Sequence, residues 1–452
     1  MVSRRSLFAL FLIGTLAGCA TMAPLGPEGI ARLEHNRAGN PNSAPANRAL
    51  GIAYYEVHQY AQSRQALERA ATLDPEDGTT QLFLGMTAEA QNDLPAARAA
   101  YSSYVQYGRT PRLRHLLEDH LAALRYKELA LAARQQVAHE TALASVPGPP
   151  TTVAVLPLSF TGSDTTLRPL GRGLAELLTT DLARSSRLTV VERERVQALI
   201  DEVDLQQSRT TDTSSRVRTG RILRAGSLVA GGIQQTGSDI RVDAPILNVN
   251  SDQVIASPTD RRPLDQLFTV EQDIAFGIFK ALGITLTTAE RDAIERRPTK
   301  SLAAFLAFSE GLTYQDEGQF DDASRLFDQA LRLDPGFGAA SEHARRARAA
   351  AQGAQVTSST VEAGLRGTGE GRIVDGASQG LVVSDATSGL ANTAVATASD
   401  LNPSMASAAT SGGGMTTTQI PQKSNPAATG TGTDNIANNT AIITIVILIP
   451  HV

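Results

Sequence analysis

The chain has a single cysteine, Cys19, and no tryptophan. One cysteine excludes an internal disulfide, so every folded part must hold itself by an ordinary apolar core. Aromatic residues make up only 4% of the chain, and none follows Phe337. Lysine is confined to Lys127, Lys280, Lys300 and Lys423, so basic charge is nearly all arginine. The formal net charge is −5, and loss of residues 1–18 with Arg4 and Arg5 makes it two units more negative. That balance argues against nucleic acid as a partner. No apolar run reaches the ~20 residues that a membrane-crossing helix needs. No Gly-x-x-x-x-Gly-Lys-Ser/Thr phosphate loop occurs, and the glycines of 364–371 do not form Gly-x-Gly-x-x-Gly. His115 and His120 stand about 140° apart around a helix, so they do not share a face as a zinc pair would. They read as solvated helix positions. Glu192, Arg193, Glu194 and Arg195 read as a charged helix start favoured by the helix dipole, not as an acid–base cluster. No catalytic residue, metal or cofactor is expected, and an enzyme is the least supported class.

What is present begins at the N-terminus. Arg4 and Arg5 precede the apolar stretch Leu7 to Leu16, which has signal-peptide length and is too short to span a bilayer. Leu16, Ala17, Gly18 and Cys19 follow. This resembles the bacterial lipobox, which implies that residues 1–18 are removed and that Cys19 is lipidated. Acyl chains would then anchor the chain at about 0.8 kcal/mol per buried CH₂. Ala20 in place of an aspartate resembles an outer-membrane address. The expected location is therefore the periplasmic face of the outer membrane, held by lipid.

Residues 19–45 carry Pro24, Pro27, Pro41 and Pro45 and read as a flexible tether. Residues 46–146 are helix-forming, and a period of 34 runs through their first part. Leu50 and Gly51 recur as Leu84 and Gly85, and Leu67 recurs as Tyr101. Tyr54, Ala70 and Pro75 complete the first unit. The same frame returns within 302–349 at Gly311, Tyr314, Ala323, Phe327, Ala330 and Pro335. This resembles the tetratricopeptide repeat. Small residues let paired helices approach, large ones fill the gap, and the proline ends the second helix. Ala88 and Arg109 depart from the pattern in the unit at 78–111. Such repeats bind peptides or proteins on a concave face. Leu113 to Leu143 reads as a long helix capping the array.

Residues 151–292 alternate strand-like and helix-like segments, giving an α/β domain with a mixed sheet. Leu228 to Gln234 and Ile240 to Val249 read as a hairpin, and Leu264 to Leu282 as a closing helix. Val153 to Pro157, Val190 to Arg195, Ala225 to Gly232, Ile240 to Val242 and Leu247 to Val249 carry a resemblance to the CsgG family and, more distantly, to the N-terminal domain of TolB. Channel-forming CsgG members carry long insertions that become membrane-spanning hairpins. Here five residues join Gln234 to Ile240, whereas a transmembrane strand needs about 9–11.

The expected fold is thus α+β and multidomain, with tetratricopeptide-like repeats flanking a CsgG- and TolB-like domain. Residues 353–440 are too poor in apolar side chains for a core and read as disordered. Residues 441–452 hold the β-favouring run Ile442 to Ile449, read as a strand that docks on a sheet edge. The expected function is an envelope scaffold that binds other envelope or secretion proteins in assembly, secretion or biogenesis of surface structures. Alternatives are a subunit of a homo-oligomeric CsgG-like outer-membrane channel, and a binding protein for a soluble peptide or glycan.

Overall fold

The computed structural model describes residues 27–144, 146–206 and 213–365, and a two-stranded pair, Arg372–Ile373 with Leu381–Val382. Leu16, Ala17, Gly18, Cys19, the strand expected at 441–452 and most of 353–440 lie outside the described residues.

The tether expected over 19–45 contains a helix, α1 (Pro27–Gly39), with Glu28 in its first turn. Proline at the first helical position and an acidic first turn both favour a helix start. Leu33, only 5% exposed, joins the same apolar cluster as the helices that follow. Next come α2 (Ala44–Glu56), α3 (Tyr60–Leu73), α4 (Gly78–Ala90) and α5 (Leu94–Tyr107). Ser43 caps α2 by accepting from the Ala46 amide, and Asp93 caps α5 by accepting from the Ala96 amide. The long α6 (Pro111–Ala138) packs on α5 and gives way to a short α7 (Glu140–Ala144). It does not end the array. Its flanks also meet α9 (Arg193–Gln206) and α15 (Gly338–Gly353).

Among the described residues, the α/β domain contains nine short strands. These are β1 (Thr152–Val155), β2 (Ser159–Thr161), β3 (Thr189–Val190), β4 (Ser227–Val229) and β5 (Gly232–Thr236), then β6 (Asp239–Asp243), β7 (Ile246–Asn248), β8 (Gln253–Ala256) and β9 (Thr259–Pro263). The mixed sheet expected from sequence is broken in two, with strand orders β3-β1-β4-β7-β8 and β2-β5-β6-β9. Four neighbouring strands break at one level, at Pro157, Ala230-Gly231, Pro245 and Pro258. Proline removes a ladder donor, and a Cβ on Gly231 would fall 1.9 Å from the Asp243 carbonyl oxygen. The hairpin expected over 228–249 is therefore two pairings, β5 with β6 and β4 with β7. The turn between β5 and β6 is only Gly237-Ser238, with Gly237 at φ +62°, a conformation glycine adopts without penalty.

Side chains of β1 alternate between two cores. Val153 and Val155 face one and Ala154 and Leu156 the other. The second core is closed by α9, α10 (Thr213–Ile222) and the Ala133–Val137 end of α6. The first is closed by α8 (Leu170–Leu182) and α11 (Leu267–Ala281), with Ile294 of the short α12 (Thr288–Ile294) added at its border. It continues without interruption into α13 (Leu302–Asp316), α14 (Phe320–Leu333) and α15, through Phe305, Phe308, Phe327 and Phe337. The boundaries 151–292 and 302–349 thus divide the sequence but not the core. Finally, α16 (Ser358–Leu365) lies within the stretch expected to be disordered. It orders because Val361 and Leu365, each 1% exposed, have an apolar surface waiting for them.

Candidate functional site

In the repeats, each small residue meets a large one 16 positions later. A Cβ on Gly51 would lie 2.5 Å from Leu67 Cγ, one on Gly85 2.4 Å from the Tyr101 ring, and one on Gly311 2.6 Å from the Phe327 ring. Leu50, Leu67, Ala70, Ala323, Phe327 and Ala330 are buried. Tyr54, Leu84 and Tyr314 are half-buried, while Pro75 and Pro335 are exposed just beyond α3 and α14. His58, Asn92 and Gly318 turn the chain between paired helices with φ of 61°, 57° and 73°. They occupy one position of the repeat frame, yet only the third is glycine, so the shared turn carried no shared letter.

Where the C-terminal repeat meets the α/β domain, the structure gathers charge. Arg193 is 2% exposed. Its Nε donates to Glu176 Oε2 at 2.7 Å, and its Nη1 donates to Asp316 Oδ1 at 2.7 Å and Oδ2 at 2.9 Å. Arg172 Nε adds a 3.0 Å bond to Asp316. His343 places Nε2 3.4 Å from Glu176 Oε1 and Nδ1 3.0 Å from Gln315 Oε1. The charged helix start expected at 192–195 is present as the first turn of α9 after β3, but Arg193 within it is buried. Arg193 is buried because α8 and α13 bring carboxylates to it, which lets a charge survive in a core. Burial would raise the Glu176 carboxyl, but the His343 hydrogen bond and the Arg193 charge hold it down to about 2. Asp201 accepts a 2.8 Å hydrogen bond from Gln197 Nε2, which does not offset burial, and its carboxyl is pushed up to about 6.

The two histidines of α6 separate. His115 is exposed beside Glu118. His120 is 2% exposed, against expectation. Its Nε2 lies 3.0 Å from Glu89 Oε2 and its Nδ1 3.1 Å from the Gly353 carbonyl oxygen. Both ring nitrogens face acceptors, an arrangement satisfied when both carry protons. Tyr101 donates to Glu89 at 2.9 Å and packs edge-on against His120. Burial raises the Glu89 carboxyl, and the His120 hydrogen bond and charge outweigh it, so the group sits below its ordinary value.

Elsewhere on the described surface a cavity and an apolar edge are present. A cavity of about 220 Å³ is lined by α1, α2 and α3, including Glu34, Arg37 and Tyr54. The edge strand β8 exposes Val254 (60%) and Ile255 (42%). Among the described residues, no group of three or more His, Cys, Asp or Glu is placed to hold a metal. No helix among them is long and apolar enough to cross a membrane.

This architecture agrees with comparisons to known proteins. The family model described as "Curli production assembly/transport component CsgG" matches residues 134–244, from the end of α6 to the close of β6. Tetratricopeptide repeat models match 48–112 and 307–337. A protein of Rhizobium meliloti (strain 1021), described as "Putative adenylate cyclase 3", is 26% identical over 191 residues, 42% of this chain and 31% of that protein. This chain thus spans about a third of that relative's length. It joins a CsgG-family domain to tetratricopeptide repeats on both sides of it.

Proposed function

We propose that this chain is a protein-interaction scaffold of the outer membrane, lipid-anchored through Cys19 on the periplasmic side and acting in curli-like assembly or transport. The observation that carries the reading is the joining of its parts. The CsgG-family domain and the C-terminal repeat share one core, and α6 links that repeat to the N-terminal repeats. A load on the repeats is therefore passed to the α/β domain through packed helices rather than a loose linker. The partners are other envelope or secretion proteins that present peptide segments to the repeats.

The alternative, a subunit of an oligomeric CsgG-like channel, needs transmembrane strands of about 9–11 residues. Here β5 and β6 have 5 residues each and are joined by a two-residue turn. Sizing of the lipidated chain in mild detergent, with conductance in planar bilayers, tests the choice. The scaffold reading expects co-purifying envelope proteins and no conductance; stepwise conductance would overturn it. The proposal includes no catalysis, and cyclic AMP formation from ATP by the purified chain would contradict it.

A further inference from the structure

His120 of α6 is the point at which three distant stretches of chain meet. Its Nδ1 faces the carbonyl oxygen of Gly353, 233 residues on, at 3.1 Å. Its Nε2 faces the Glu89 carboxylate of α4, 31 residues back, with Oε2 at 3.0 Å and Oε1 at 3.2 Å. The ring is 2% exposed. The end of α15 is shaped for this approach. A Cβ on Gly353 would fall 1.8 Å from the Asp119 carbonyl oxygen and 2.8 Å from His120 Cα, so only glycine lets the last turn come this close. Tyr101 of α5 closes another side. Its hydroxyl donates to Glu89 at 2.9 Å, and its ring meets His120 edge-on with 5.6 Å between centroids.

The protons at this junction can be counted. A carbonyl and a carboxylate accept and have no proton to give. A neutral imidazole carries one N–H, which serves one of them and leaves the other facing a ring lone pair in a place closed to water, where an unmet acceptor is costly. The charged ring carries two and serves both. The surrounding charges favour that form. Asp119 precedes the ring on α6, and Glu362 is the one charged residue of α16, which also packs on α6. The nearby cations have carboxylates of their own: Arg98 of α5 meets Glu128, and on α15 Arg345 and Arg346 meet Glu342 and Arg348 meets Asp328. On the α9 side, Arg125 meets Glu192 and Arg134 meets Glu202. Lys127 adds its charge to Glu89.

We propose that His120 is a proton-operated clasp: with both ring nitrogens protonated it ties the end of α15 to the N-terminal repeats, and loss of one proton releases that end. Histidine changes charge between about pH 5 and 8. The clasped state holds a proton that the released state gives up, so the clasp is firm on the acid side and weakens as pH rises. One substitution removes the need for charge. In Glu89→Gln the new amide NH₂ donates to Nε2 of a neutral ring, whose Nδ1–H still donates to Gly353. The clasp is independent of what the repeats bind.

Amide exchange of the full chain, corrected for the intrinsic effect of pH on exchange, tests this. The reporters are the amides of Ala354, Gln355 and Val356, which donate to the carbonyls of Ala350, Gln352 and Gly353. Protection there is expected to fall about tenfold between about pH 6 and about pH 8, while α13 and α14 stay level. Glu89→Gln is expected to keep the protection seen on the acid side and to lose the dependence on pH. Unchanged protection in the parent would overturn the clasp. So would the same fall in Glu89→Gln, because pH would then be acting through another group. Should Glu89→Gln misfold, nitrogen NMR of the histidine rings in the parent decides, with the His120 signals assigned by their loss in His120→Gln. Two protonated ring nitrogens on the acid side and one on the basic side are expected. A single protonated nitrogen throughout, or two throughout, would overturn the proposal.

Discussion

Arg193 and Asp316 are 123 residues apart in sequence, and their side chains meet at 2.7 Å in a place almost closed to water. One belongs to the α/β domain and the other to the C-terminal repeat. Arg193→Leu leaves Asp316 and Glu176 buried without their main cation, which costs on the order of 3–5 kcal/mol. Urea unfolding should show that loss. Adding Asp316→Leu and Glu176→Leu should recover part of it, because apolar replacements remove the unpaired charges. A single-variant loss below about 1 kcal/mol would mean that the network is no stronger than a surface pair.

The acid limb of stability should bear the mark of Glu176. Its folded value, about 2, lies below its ordinary 4.5. A depressed carboxyl contributes stability above the unfolded value and loses it as pH falls through the folded one. The window is therefore pH 4.5 down to 2, and the contribution is of order 3 kcal/mol. Glu176→Gln should be less stable than the parent at pH 7 and should lose less further stability across that window. Parallel urea midpoints against pH for both chains would refute the assignment.

Close packing at the repeat glycines gives a third expectation. Gly311→Leu drives a side chain into the Phe327 ring, and overpacking costs about 1–3 kcal/mol. At Gly338 an added Cβ meets nothing within 4 Å. Thermal melts should show Gly311→Leu several degrees below the parent and Gly338→Leu nearly level with it. Equal shifts would break the link between spacing and packing.

The anchor is tested chemically. Cys19→Ala should abolish incorporation of a clickable palmitate analogue, and a chain starting at residue 20 should be recovered without detergent. Membrane partitioning of that truncated chain would show a second attachment.

The apolar run Ile442 to Ile449 is expected, from its sequence, to add as a strand to an exposed edge of the 151–285 sheet in cis, or to a partner's sheet in trans. If docking is in cis, removing 441–452 should lower the stability of the α/β domain in urea unfolding. If docking is in trans, oligomer or partner capture is lost instead. No change in either would rule out docking.

How much of this was readable in advance depended on how local each signal is. The pairs Gly51–Leu67, Gly85–Tyr101 and Gly311–Phe327 recur at one separation within a single helix pair, so spacing alone exposed them. Arg193 gave no warning, because nothing near it in sequence marks a charge neutralised by Glu176 and Asp316. His120 was misread for the same reason: Glu89 and Gly353 lie far from it along the chain. The breaks at Pro157, Pro245 and Pro258 were visible singly, but their alignment follows from strand register, which a sequence does not display. In α16, two apolar side chains were too few to outweigh a tail rich in small residues, and their burial depends on a surface built some 250 residues earlier.

The position of α6 bears on how the molecule comes together. One flank is closed by α5, next to it in the chain, while the other waits for α15, and His120 waits for the carbonyl of a residue 233 positions downstream. Until that stretch arrives, the apolar rows of α6 and the face later covered by α16 are bare. Native closure is thus a long-range event that rewards the chain only near its end, and folding should be slow and limited by this step. A nascent chain cut short before residue 338 would carry a fully patterned repeat array with a sticky side, a natural handle for a chaperone or a protease.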